Sequence, residues 1–381
     1  MRLKLKETFD AAFGEQPLQI KLIMVLAFSV FLPFFITVPV AIASVVCFFC
    51  IKKCRADIFH TPHLWLFCLL GFLLLTTPLI YRNFYGFGCG VLFSLYLVVV
   101  LVSGNVMTAA LRDRLCDLFC TGSVVSFAAA VLEKLFLPGA RVTALSYNAN
   151  FYGYLCEILI IICLYRFVRT GKKAYLAVAA ANILGIFLCD CRSAWSGLLV
   201  GLIVLFAVMK MRKSLIGVIS LGAAIIGTML INHSFFPRHG DIASTTQDRF
   251  RIWSTAFHDF LLHPIFGRGF LAMYQVTGNI VTPHAHNILL DLLECTGIVG
   301  TGIIIFFFII IIRNLAAAYR TNADQNRAGV ALCWSVIAAT LAHGVTDIPI
   351  MGVQTGLLFL LIFSMRPKAS PTDQFPTMLH N

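Results

Sequence analysis

The run from Gly297 to Ile312, GIVGTGIIIFFFIIII, carries no charge and stops at Arg313. A stretch this apolar has no polar face to turn to water, and with its flanks it approaches the roughly twenty residues that cross a bilayer as a helix. The same texture recurs at about 64–81, 88–107, 115–137, 151–168, 174–190, 195–209, 214–232, 328–345 and 350–365. Residues 20–51 are apolar throughout and too long for one ordinary span. Pro33 and Pro39 bracket a tight hairpin there, so that region is read as two short helices. The count is about twelve transmembrane helices in an all-α, polytopic membrane bundle. Apolar runs of this length exclude a β-barrel, whose strands alternate over about ten residues.

Composition agrees. The 381 residues are 59% hydrophobic and only 12% charged, where soluble domains carry about 25% charged residues. A soluble enzyme, a disordered chain and a disulfide mini-domain are all excluded. The net charge of +12 would suggest nucleic acid in a soluble protein. Here most of the basic residues fall in short clusters between the apolar runs: Lys52, Lys53 and Arg55; Arg112 and Arg114; Arg169, Lys172 and Lys173; Lys210, Arg212 and Lys213; Arg313, Arg320 and Arg327; Arg366 and Lys368. That is the positive-inside pattern. It places both termini in the cytoplasm, with residues 1–19 and 366–381 as tails. Helices one to nine fill 20–232, and helices ten to twelve fill 297–365. The start of the chain lacks a small-residue cleavage site and reads as a tail, not a signal peptide. The thirteen cysteines lie mostly in or beside apolar runs and read as structural.

The one long hydrophilic excursion, residues 233–296, then faces outward and is where chemistry is expected. In it, Trp253, Ala256, Phe257, Phe260 and Leu261 fall at helical spacing, with Ser254, Thr255, His258 and Asp259 on the other side. This is an amphipathic helix lying in the membrane interface. Arg249 shares the face of Trp253 and points to the headgroups or the bundle. Arg251 can also snorkel to phosphates. Further on, Pro283-His284-Ala285-His286-Asn287 opens an apolar helix. The two histidines could be metal ligands, but no third ligand of convincing spacing follows. A neutral histidine there could act as a general base, and Asn287 as a helix cap. Arg192, flanked by Asp190 and Ser193, stands at an outer helix junction, where an arginine is costly and is either a candidate functional residue or the partner of Asp190 in a structural salt bridge. Asp347 emerges on the same face and could orient an arginine or histidine, or cap the last helix. Asn148 and Asn150 precede another span and offer amides to sugar-like groups, or a cap.

Taken together, Arg249-x-x-x-Trp253, His263-Pro264-x-x-Gly267-x-Gly269, His284-x-His286-Asn287 and Gly297-Ile298-x-Gly300 resemble the signature of the O-antigen ligase and polymerase superfamily. Asn148-Ala149-Asn150 resembles its Asn-Pro-Asn element with Ala for Pro. Cys191-Arg192-Ser193 resembles its Ser-Arg-Gly/Ala element with Cys for Ser. The resemblance covers about residues 140–365. It implies a GT-C type glycosyltransferase that moves a glycan from undecaprenyl diphosphate to an acceptor hydroxyl on the outer face, with no metal and no cofactor. The acceptor would be a lipid-linked repeat, lipid A core or a protein glycan. Carried over by motif, Arg192 and Arg249 would bind the diphosphate and His286 would be the base. His284, Asn287, Arg251, Asp347, Asn148 and Asn150 would support substrate binding. The competing reading is a twelve-helix transporter without catalysis. Glu133, Lys134 and Glu157 are its candidate intramembrane charges.

Overall fold

The computed structural model describes residues 16–232, 242–276, 282–321 and 324–367. The expected tails at 1–15 and 368–381 and the start of the outer loop at 233–241 lie outside them. The described residues form fourteen α-helices and two short 3-10 turns. The helices are α1 Leu18–Ser29, α2 Phe34–Cys50, α3 Lys52–Phe59, α4 Leu64–Ile80, α5 Phe84–Val106, α6 Ala109–Phe136 and α7 Ala149–Thr170. They continue with α8 Ala174–Cys189, α9 Arg192–Val208, α10 Arg212–Ile231, α11 Ile242–Leu262, α12 Ile288–Arg320, α13 Asp324–His343 and α14 Val353–Ser364. Four of them (α5, α6, α7 and α12) are long and apolar enough to cross a membrane. The count rises to five if α2 and α3, bent by 89° at their junction, form one span. Helices α1, α4, α8, α9 and α14 are shorter and apolar.

The expected break in residues 20–51 is present, but Pro33 alone makes it. Pro33 stands before α2, and Pro39 sits inside that helix. Side-chain caps start several helices where the sequence offers a polar residue. Asn83 accepts from Gly86 N, Thr108 from Leu111 N and Asn148 from Asn150 N. Gly171, in the left-handed region, ends α7.

Helix α7 is the centre of the bundle. It packs against α6, α8, α9 and α13, and Tyr152, Tyr154, Leu155, Cys156, Glu157 and the run Ile158–Cys163 are all buried. A second layer sets α12 against α4, α11 and α13, and α14 against α5. All thirteen cysteines are free thiols.

The expected helix from Asn287 and the expected span from 297 meet in α12: it starts at Ile288, and its backbone turns sharply at Gly297 (φ 60°, ψ −166°) before it continues to Arg320. The bend releases two carbonyls, and the preceding loop uses them. Arg268 N donates to Glu294 O (2.9 Å) and Gly269 N to Cys295 O (2.8 Å), while Ile298 N and Val299 N donate to Pro264 O and Ile265 O. A Cβ at Gly297 would collide with the backbone of Ile265, and one at Gly267 with that of Glu294 and Cys295. The glycines of the two motifs are therefore architectural: they let the loop lie on the bend.

Helix α11 forms as expected, but its faces are divided differently. Ile252, Ala256 and Asp259 are buried, while Phe257, Leu261 and Leu262 are exposed. Asp259 turns inward because Arg268 meets it at 2.8 Å. A buried carboxylate needs such a partner.

Candidate functional site

The site begins with the cap of α12. Asn287 Oδ1 accepts from Leu289 N and Leu290 N, both at 3.1 Å. Its amide nitrogen donates to Val345 O at 3.0 Å, and Ile288 N donates to Gly344 O at 2.9 Å. The start of α12 is thereby tied to the turn that follows α13. The residue before the cap, His286, has φ +50°, a left-handed backbone that costs a β-carbon-bearing residue energy and clusters at functional sites. Ala285 N donates to Asp291 Oδ1 at 3.0 Å and holds the strained turn in place.

The turn brings His286 to Asp347, with Nδ1 and Oδ1 3.0 Å apart. Asp347 is buried and the imidazole is 24% exposed. With a carboxylate as acceptor, the proton sits on Nδ1, and Nε2 keeps its lone pair on the open side. The second oxygen of Asp347 accepts from Asn150 Nδ2 at 2.6 Å. Asn150 Oδ1 in turn accepts from Arg141 Nη2 at 2.6 Å, and Arg141 Nε donates to Cys189 O at 3.0 Å. Ile348 N also donates to Asp347 Oδ1 at 2.9 Å. This chain links the ends of α7, α8, α12 and α13 through one carboxylate. Burial by itself raises the pKa of Asp347. The hydrogen bond from His286, with the electrostatic pull of the neighbouring histidines, outweighs that and holds it well below the usual carboxylate range.

His284 lies under His286, with ring centroids 4.2 Å apart, and its Nδ1 accepts from His286 N at 3.4 Å. Burial above all, with His286 and Arg249 adding to it, lowers its pKa to about 4 against the pull of Asp347. His284 is therefore neutral at physiological pH, and Arg249 is close enough to act on it. Nitrogens of His284 and His286 and an oxygen of Asp347 lie within 4.8 Å of one another, a donor set that suits a divalent ion. In this structure Asp347 Oδ1 accepts from His286 and from Ile348 N, and Oδ2 accepts from Asn150.

The other expected residues divide. Arg192, the first residue of α9, donates from Nη2 to Thr245 Oγ1 on α11 at 3.0 Å. Ser193 Oγ meets Thr346 Oγ1 at 2.8 Å, which sets this helix start beside Asp347. Asn148 caps α7 and Asn287 caps α12. Arg251 is exposed, on the outside of α11. Glu133 holds the loop before α7 by accepting from Thr143 N and Ala144 N at 3.1 and 2.7 Å. Lys134 donates to Ala140 O at 3.0 Å.

Sequence reasoning missed two features. Arg141 gave one signal, a lone basic residue in the polar loop before α7. Glu157 was marked as an intramembrane charge, but its partner was not: His343 Nδ1 meets Glu157 Oε2 at 2.7 Å, with both side chains fully enclosed. Gly197 of α9 leaves room for the carboxylate, since a Cβ there would overlap it. Tyr154 stands edge-on to the His343 ring at 5.5 Å.

Against known families, residues 158–307 match the family model described as O-antigen ligase. The match supports the O-antigen ligase and polymerase superfamily that the motifs resemble. It covers Arg192, Arg249, Arg251, His284, His286 and Asn287; Asn148, Asn150 and Asp347 lie outside it and join the site through the fold. No curated protein matches the chain.

Proposed function

We propose that the protein is a lipid-linked glycan ligase or polymerase. It moves a glycan from undecaprenyl diphosphate to an acceptor hydroxyl on the extracytoplasmic face of a bacterial inner membrane. The observation that carries this is the His286–Asp347 pair set beside an apolar groove. The groove is lined near the pair by Phe270, Ile288 and Ile348, and runs between α4, α5, α12 and α14 to Phe363 and Arg366. A base poised at the end of an apolar groove suits a substrate with a lipid tail and a polar head.

In this reading, His286 Nε2 takes the proton of the acceptor hydroxyl. The hydroxyl oxygen bonds to the anomeric carbon, and the bond from that carbon to the diphosphate oxygen breaks. The lipid diphosphate leaves with its charge offset by Arg192 and Arg249, whose planar forks match phosphate oxygens. Asp347 keeps His286 in the tautomer that can accept a proton, and stabilises the imidazolium formed. Asn150 and Arg141 fix Asp347. His284, Asn287 and Asn148 shape the turn and helix starts around it, and Arg251 meets headgroups at the rim. Twelve crossings, with both termini cytoplasmic, put residues 233–296 outside. The exposed apolar residues of α11 then lie in the interface.

The test is complementation of a strain that lacks the chain's gene. Arg192→Ala, Arg249→Ala and His286→Ala should each abolish the surface glycan at unchanged protein abundance. Normal glycan from all three would sink the proposal.

A further inference from the structure

His284 and His286 are two metal ligands in want of a third. The fold brings one, Asp347, from 61 positions beyond His286. Nitrogens of the two imidazoles and an oxygen of the carboxylate lie within 4.8 Å of one another. His286 Nδ1 and Asp347 Oδ1 are 3.0 Å apart. That is close to the spacing of two donors on one tetrahedral ion, about 3.4 Å for bonds of about 2.1 Å. The His284 ring lies 4.2 Å from that of His286 between centroids, within reach of the same ion.

The surroundings hold these donors in place. An ionised carboxylate has about four acceptor positions. Those in use at Asp347 are taken by His286, Ile348 N and Asn150, and Arg141 fixes Asn150 in turn. Partners of this kind orient a metal-binding carboxylate. The turn that carries both histidines is tied on each side. Thr282 Oγ1 donates to His284 O at 3.1 Å, and Ala285 N donates to Asp291 Oδ1. His284 and Asp347 are buried while the His286 imidazole is partly open, so an ion enters from that side. Two imidazoles and one carboxylate suit zinc, whereas magnesium and calcium ask for oxygen alone. Arg249 acts on His284 and opposes a dication, which makes the site weaker than a closed structural zinc centre.

We propose that His284, His286 and Asp347 bind a zinc ion, with water in the fourth position, and that the bound ion shuts off the base. The ion takes the place of the proton on His286 Nδ1. That proton passes through water to Nε2, and the lone pair that would take the acceptor's proton is gone. An ion held through Nε2 occupies the same lone pair directly. The blocking role rests on the reading of His286 as the base; the metal site does not.

The experiment has two arms. In the first, protein in detergent is stripped with EDTA, freed of it, and titrated with Co²⁺, whose visible spectrum reports coordination. Zn²⁺ is then added in competition. Wild type should take up one ion per chain with a tetrahedral spectrum, and Mg²⁺ should not compete. The spectrum should lack the intense near-ultraviolet band of thiolate ligation, which sets this site apart from the thirteen cysteines. His284→Asn and Asp347→Asn should each weaken binding at least tenfold, and the second variant keeps the test alive if the first fails to fold. A wild type that binds no ion, a thiolate spectrum, or variants that bind as wild type does would overturn the proposal. In the second arm, release of lipid diphosphate is followed with zinc and then with EDTA. Zinc should suppress release and EDTA should restore it. Release untouched by zinc at concentrations that fill the site would overturn the blocking role. No release even in EDTA would contradict the functional reading instead, and the first arm would still decide the metal site.

Discussion

Among the described residues, two histidine–carboxylate pairs join the same kinds of atom in opposite surroundings. His286 and Asp347 meet at 3.0 Å on a strained turn, with the imidazole partly open. His343 and Glu157 meet at 2.7 Å between α13 and α7, with nothing open. Asp347 lies four positions after His343, yet one imidazole is partly open and the other is sealed in a packed core. A histidine–carboxylate pair is thus a site or a clasp according to what its far nitrogen faces. The clasp also serves the site, because it locks α7, which carries Asn150, to α13, which leads to Asp347.

The strongest way to break this comparison is at His286. His286→Asn keeps a residue that tolerates the left-handed backbone but removes the base. Glycan transfer should fall about 10²- to 10⁴-fold with the melting temperature nearly unchanged. Equal loss of folding would make this pair a clasp too. Next, Glu157→Ala leaves a buried histidine without its partner and should destabilise the protein by about 3–5 kcal/mol, read as lost abundance and a lower melting temperature. A Glu157→Gln, His343→Gln double variant should recover much of that stability together with activity. No paired replacement at His286 and Asp347 should recover activity.

Arg249 sharpens the site side. Arg249→Ala should cost roughly 10²- to 10³-fold in transfer, the usual loss for one donor on a developing anion. Arg249→Lys should recover only part, since lysine lacks the planar fork. A smaller effect lies in acid. His284 has its pKa lowered by burial to about 4 from an ordinary 6.5. Between those values the unfolded chain binds a proton that the folded one refuses. Stability from this residue is therefore full above pH 6.5 and is lost as pH falls toward 4. His284→Asn should flatten melting temperature against pH in that window; an unchanged slope would contradict the burial argument. Least of all, Arg251→Ala should change transfer less than about threefold, below half the ~1.4 kcal/mol that a tenfold change represents, because its side chain faces away from the site.

Much of the fold was legible because apolar runs and charge clusters are local signals. Seven of the expected spans between residues 64 and 232 match α4 to α10 to within a few residues. The break at Pro33, the cap at Asn287 and the structural role of the cysteines were also legible. What the sequence hid was long-range. Nothing near Asn150 names Asp347, nearly two hundred residues on, as its partner, and nothing near Arg141 says that it holds Asn150 there. Glu157 stood out as an intramembrane charge, but only the packing of α7 on α13 turns it from a transport candidate into a clasp. Asp259 defied the amphipathic pattern because its partner Arg268 lies beyond the helix end. The bend at Gly297, which seats the Gly267–Gly269 loop on the backbone of α12, was hidden too.

The most direct measurement follows release of lipid diphosphate by purified protein in nanodiscs, given the host's undecaprenyl-diphosphate glycan and acceptor in the presence of EDTA. Wild type should release it and His286→Asn should not, although both fold. No release from folded wild type, or release that EDTA abolishes or that persists without His286, would contradict a reaction driven by the His286–Asp347 pair.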